Sequence, residues 1–234
     1  MSLKKLCYKA FTITAAITFT AMPIKTIIFD LDGTIADTLP LCIAAFKKSI
    51  EPLLGKEVSE QQIIATFGPS EEGTIRKLIP KHESEGVKAY LGYYQDLHNT
   101  CPAPFSGIRE LLGELSDKGV QLAMVTGKGI HSTLISLEQF GLQDYFNVLE
   151  TGLPEGPNKV NGIRHVLERL GAGVEDSIYV GDAPSDIIAC KEVGIPIAAA
   201  AWAGTANPDA LKALKPDWIF YSVGEFAEWL GSRI

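Results

Sequence analysis

Apolar and polar positions follow two different rhythms along this chain. Residues 25 to 29 form a short, mostly apolar run bounded by Asp30 and the Gly33-Thr34 turn, which predicts a buried strand. Between residues 37 and 103 the pattern predicts helices, and no strand-like run occurs. Asp37 or Thr38, ahead of Pro40, offers a cap for a helix reaching Leu54. Ser59 followed by Gln62 has capping-box spacing for a helix over residues 59–67, which Gly68-Pro69 breaks. Two more helices are predicted over residues 71–79 and 86–100, and Pro102 and Pro104 close the stretch.

Past Pro104 the period switches repeatedly. Helices are predicted over residues 107–119, 131–141, 158–171, 185–194 and 223–232. Strands are predicted over 120–126, 146–151, 177–182, 195–201 and 217–222, the last two with no helix between them. Such alternation implies an α/β fold, a doubly wound and mainly parallel sheet with helices on both faces. Residues 22–36 and 104–234 then form the core domain, and residues 37–103 a helical insertion.

Composition narrows the function classes. A net charge of −7 speaks against a nucleic-acid binder, which usually presents a basic face. Cys7, Cys42, Cys101 and Cys190 are scattered with no CxxC pair, a pattern of packed thiols rather than a disulfide framework. Residues 1–21 admit three readings. Lys4 and Lys5 before an apolar stretch resemble a signal peptide, and the uncharged run is too short to span a membrane. Phe11, Ile13, Ala15, Ile17 and Phe19 alternate with threonines and Ala16, as in a half-buried strand. Met22 is a third candidate for the natural start. The expected location is cytoplasmic, or exported if residues 1–21 are a signal.

The chemistry gathers where predicted strands end. Asp30, Thr126 and Asp182 all stand at strand carboxyl ends, the edge at which open α/β sheets bind ligands. Asp30 and Asp32, with Asp182 and Asp186 from a distant strand end, form a hard-oxygen set suited to magnesium. Beside a metal, Asp30 can act as a carboxylate nucleophile. The Gly33 turn can bring Asp32 back over the reacting group as an acid and base. Thr126 supplies a hydroxyl, Gly127 an approachable N–H and Lys159 a charge, the parts phosphoryl transfer needs.

The motifs DLDGTIADT, VTGK, Lys159 and GDAPSD occur in the order found in the haloacid dehalogenase superfamily, which the chain resembles from Ile24 onward. The resemblance implies Asp30 as nucleophile and Asp32 as general acid and base. It also implies magnesium held by Asp30, the Asp32 carbonyl and Asp182, with Asp186 direct or through water. The insertion is similar to the helical cap of phosphoglycolate phosphatase-like members, and TFGPS resembles a stretch of that cap. Gly33, Thr34, Gly127 and the cap residue Arg76 are the expected substrate contacts. One departure is Val160, where proline usually follows the lysine; Lys128 is the rival for the Lys159 role. The expected activity is magnesium-dependent hydrolysis of a small phosphorylated metabolite by a monomer or homodimer, with neither nucleic acid nor membrane as partner. A phosphomutase of the β-phosphoglucomutase type and a non-catalytic binding protein of the same fold are the alternatives.

Overall fold

The computed structural model describes residues 23–234, so the readings of residues 1–21 and of a start at Met22 lie outside the described residues. Six parallel strands form one sheet: β1 (Thr26–Phe29), β2 (Gln121–Val125), β3 (Val148–Glu150), β4 (Ser177–Gly181), β5 (Ile197–Ala200) and β6 (Trp218–Phe220). Their spatial order is β3-β2-β1-β4-β5-β6. Chain order therefore reverses direction between β1 and β4, which makes a crevice at their carboxyl ends. Phe29 pairs with Met124 on one side and Val180 on the other. This register brings Asp30, Thr126 and Asp182 to nearly the same height at one edge.

All four residues of β1 are buried, because helices cover both faces. On one face Ile27, Phe29, Met124 and Val180 pack with α5 (Ile108–Asp117), α6 (Ile130–Phe140) and α10 (Val223–Gly231). On the other, Ile28, Val125, Tyr179 and Ala199 pack with α7 (Lys159–Leu170), α8 (Pro184–Val193) and α9 (Pro208–Ala213). The short α9 falls between the last two strands, where no helix was expected. Asn207 starts it by accepting from the Ala210 N–H, and Pro208 fits the first turn.

The segment between β1 and α5 is helical: α1 (Leu39–Leu54), α2 (Glu60–Ile64), α3 (Glu71–Leu78), α4 (Glu83–Asp96) and a 3-10 turn at Leu97–Thr100. Helices α1 and α4 meet through Phe46 and Tyr90, whose ring centroids lie 4.5 Å apart. Ser59 and Gln62 form the expected capping box of α2. The start of α1 differs from expectation. Thr38 holds the N-cap position without capping, because its hydroxyl bonds the Asp32 carboxylate instead. Apolar side chains of this layer join those of α5 and α6 in one continuous cluster. Among the described residues no helix is long and apolar enough to cross a membrane.

Candidate active site

A cavity of about 490 Å³ opens at the carboxyl edge of the sheet, between the sheet and the helical layer. Asp30, Thr126 and Asp182, from the ends of β1, β2 and β4, line it together with Lys159, the first residue of α7. The Lys159 ammonium lies 2.5 Å from Asp30 Oδ2 and also pairs with Asp186 Oδ1. Asp30 Oδ1 accepts from the Leu31 N–H at 2.7 Å, which fixes the carboxylate's rotation. Asp186 is fully buried beneath this floor, where its Oδ2 accepts from the Ala183 N–H at 2.9 Å and its Oδ1 lies 3.2 Å from the Tyr179 hydroxyl.

Carboxylate oxygens of Asp30, Asp182 and Asp186 lie within 4.8 Å of one another. Lys159 is the ammonium paired with Asp30 and Asp186, so the cluster keeps an excess of negative charge in a buried place. Burial pushes the Asp30 carboxyl up to about 6, against the pull of Lys159 and with added repulsion from Asp186 and Asp32. Burial, with repulsion from Asp30 and Asp186, raises Asp182 well above the usual carboxylate range. Burial opposes the charge on Lys159, yet Asp186 and Asp30 hold it above the usual lysine value. Crowded hard oxygens with unmet negative charge fit a divalent cation.

A sequence model of the haloacid dehalogenase-like hydrolases matches residues 27–200. The chain belongs to this family. Among curated haloacid dehalogenase-like relatives, pyrophosphatase PpaX of Halalkalibacterium halodurans is 29% identical over 215 residues, which cover 91% of this chain and 99% of that protein. The phosphoglycolate phosphatase of Neisseria meningitidis is 29% identical over 219 residues, 88% of this chain and 93% of that protein. The solved structure of the haloacid dehalogenase-like hydrolase SP0104 from Streptococcus pneumoniae superposes with a TM-score of 0.71 at 27% identity, covering 88% of this chain and 98% of that one.

Not every residue singled out from the sequence reaches the cavity of this haloacid dehalogenase-like chain. Gly33 and Gly127 line it, whereas Thr34 is buried behind it and hydrogen-bonds Asp182 Oδ1 at 3.3 Å. Thr34 thus supports a carboxylate rather than facing a ligand. Arg76 does not line the cavity. Helix α3 turns Glu71 and Thr74 toward the cavity, which leaves Arg76 on the outer face, paired with Glu83 at 2.9 Å. Lys128, the rival for the Lys159 role, lies 3.4 Å from Asp32, whereas Lys159 pairs with Asp30 and Asp186. Three wall residues escaped the sequence reading. Cys42 and Tyr90 look like plain core positions of helices, and Glu71 like a solvated first-turn acid. Instead Glu71 is buried and accepts from the Gly129 N–H at 2.6 Å and from the Ser132 hydroxyl. No local signal marks that contact, because its partners lie about sixty residues further along the chain.

Proposed function

We propose that this chain is a magnesium-dependent phosphatase that hydrolyses a small phosphorylated metabolite through an aspartyl-phosphate on Asp30. The observation that carries the reading is the convergence of Asp30, Lys159 and Asp182 on one cavity that Asp32 also lines. An Asp30 carboxylate oxygen bonds to phosphorus as the bond to the leaving oxygen breaks, and Asp32 donates a proton to that oxygen. Water then bonds to the same phosphorus, Asp32 takes its proton, and the Asp30–phosphorus bond breaks. The Thr126 hydroxyl, the Gly127 N–H and Lys159 hold the phosphoryl oxygens as negative charge redistributes. Asp30, Asp182 and the Asp32 carbonyl, with Asp186 below, would hold magnesium, which when bound neutralises charge on those oxygens. The hydroxyl of Thr38 donates to Asp32 Oδ1 and restrains that side chain.

Purified protein given p-nitrophenyl phosphate and magnesium should release inorganic phosphate without any sugar bisphosphate, and a chelator should stop it. Asp30→Asn should lower turnover by about a thousandfold or more while the far-ultraviolet circular dichroism stays unchanged. Turnover within about tenfold of wild type in this variant would overturn the nucleophile assignment. A strict requirement for a sugar bisphosphate would replace hydrolysis with mutase chemistry.

A further inference from the structure

We propose that the Tyr90 hydroxyl donates a hydrogen bond to the leaving group, and so selects uncharged leaving groups that carry an oxygen acceptor, such as a further hydroxyl. This names a substrate class within the phosphatase reading and rests on it. Tyr90, Tyr94 and Tyr179 are all buried. A buried phenol without a partner is costly, and buried tyrosines usually find one. Tyr94 bonds Ser136 Oγ at 2.7 Å, and Tyr179 donates to the Val125 carbonyl at 2.8 Å. The Tyr90 hydroxyl has no hydrogen-bond partner among the described residues, and of the three tyrosines Tyr90 alone lines the cavity. The polar atoms sealed in protein without a partner belong to Asp37, His98 and Asp176. The Tyr90 hydroxyl is not one of them, so it reaches the open space of the cavity. Its ring packs on Phe46, with centroids 4.5 Å apart, and stacks on Tyr94 at 5.7 Å, which restricts where the hydroxyl points. Burial foremost pushes the phenol well above its ordinary range, so it keeps its proton and can donate.

The surroundings decide what can accept from it. The Lys128 ammonium faces the Tyr94 ring at 4.4 Å and pairs with Asp32 at 3.4 Å. Tyr90, Lys128 and Asp32 thus share one wall, and Asp32 protonates the leaving oxygen in the proposed reaction. A group attached to that oxygen extends along this wall. The other polar side chains that α1, α3 and α4 present to the cavity are engaged: Cys42 with Lys128, Glu71 with Gly129 and Ser132, and Thr74 with the Thr66 carbonyl. Both lysines that line the cavity are ion-paired, Lys159 with Asp30 and Asp186 and Lys128 with Asp32, so no unpaired cation awaits a second anion. Leu39 and Phe46 add apolar surface. What this wall lacks is an acceptor for one neutral donor. An alcohol oxygen a few bonds beyond the ester oxygen supplies it. An alkyl chain of the same length leaves the phenol unmet, which is how a buried polar group discriminates.

The test uses two pairs of esters matched in length: 2-hydroxyethyl phosphate with propyl phosphate, and 3-hydroxypropyl phosphate with butyl phosphate. Wild type should prefer the hydroxylated member of at least one pair by about tenfold in kcat/KM. Tyr90→Phe keeps the ring and its packing, so it should lose about that factor on the hydroxylated ester, mainly in KM, and change little on the alkyl ester. Tyr94→Phe removes instead a hydroxyl bonded to Ser136 and should keep the preference. The assignment is overturned by an absent preference in wild type, by a preference that survives Tyr90→Phe, or by equal losses on both members of a pair. Loss of the preference in Tyr94→Phe as well would place its origin in ring packing and not in a hydrogen bond to Tyr90. Calorimetric titration with 3-hydroxypropylphosphonate and butylphosphonate reads the same discrimination without turnover. Failure of the phosphatase reading looks different, since wild type would then release no phosphate from p-nitrophenyl phosphate.

Discussion

At Gly33 the backbone φ is +75°, and the direction in which a Cβ would point is filled by the Asp182 carboxylate. Two constraints meet at this residue. A left-handed backbone costs a residue with a Cβ about 1–2 kcal/mol. The overlap would also displace a carboxylate from the cluster with Asp30 and Asp186. Gly33→Ala is therefore expected to raise the magnesium concentration needed for half-maximal turnover, well beyond what its loss of stability explains. A magnesium titration of activity beside a thermal melt checks this. An unchanged titration curve would mean that Asp182 does not need its present place. The sequence marked Gly33 as a turn former because it follows two acids and precedes Thr34. That the turn also leaves room for Asp182, from a strand far along the chain, is not legible locally.

At the scale of elements, the seam between α3 and α6 depends on one buried carboxylate. Glu71 accepts from the N–H of Gly129, the residue just ahead of α6, where a helix N-terminus favours negative charge. Ser70 N–H adds a bond to the Leu153 carbonyl at 3.0 Å beside it. Glu71→Ala leaves the Gly129 N–H and the Ser132 hydroxyl without this partner, at a cost of about 1–3 kcal/mol. We expect a lower melting temperature and faster hydrogen exchange at the Gly129 amide, with exchange in β1 and β4 little altered. Equal acceleration across the sheet would point to global destabilisation and argue against a local clasp. Both helices were expected from the sequence, α3 from its residues 71–79 and α6 from 131–141. Their contact was not, since the pattern of Glu71 and Glu72 before Gly73 also fits an exposed first turn.

Over the whole molecule, the helical layer and the core also meet at His98. Its ring packs against Tyr94 and Phe140, and Nε2 lies 3.1 Å from Ser136 Oγ, which also bonds the Tyr94 hydroxyl at 2.7 Å. Burial, followed by the nearby charge of Lys128, lowers the His98 pKa from its ordinary 6.5. The folded protein then resists a proton that the unfolded chain accepts. His98 thus contributes stability above pH 6.5 that is lost as pH falls through its folded-state pKa. Denaturant unfolding between neutral and mildly acidic pH should show this decline, and His98→Gln should flatten it. An identical slope in the variant would assign the acid sensitivity elsewhere. The sequence determined the strands and most of the helices, because strand and helix periods are written locally, and it marked Asp30, Asp32, Asp182 and Asp186 as candidates because each stands at or just past a predicted strand end. It left α9 unseen, where a six-residue helix has too few turns for a period to emerge. Only the tertiary structure decided which polar groups meet: Lys159 with an acid 129 positions away, Lys128 with a cysteine 86 positions away, and Arg76 with none of them. Such pairings follow from the parallel register of β1 with β2 and β4 and from how α3 and α4 rest on α6, which no window of neighbouring residues encodes.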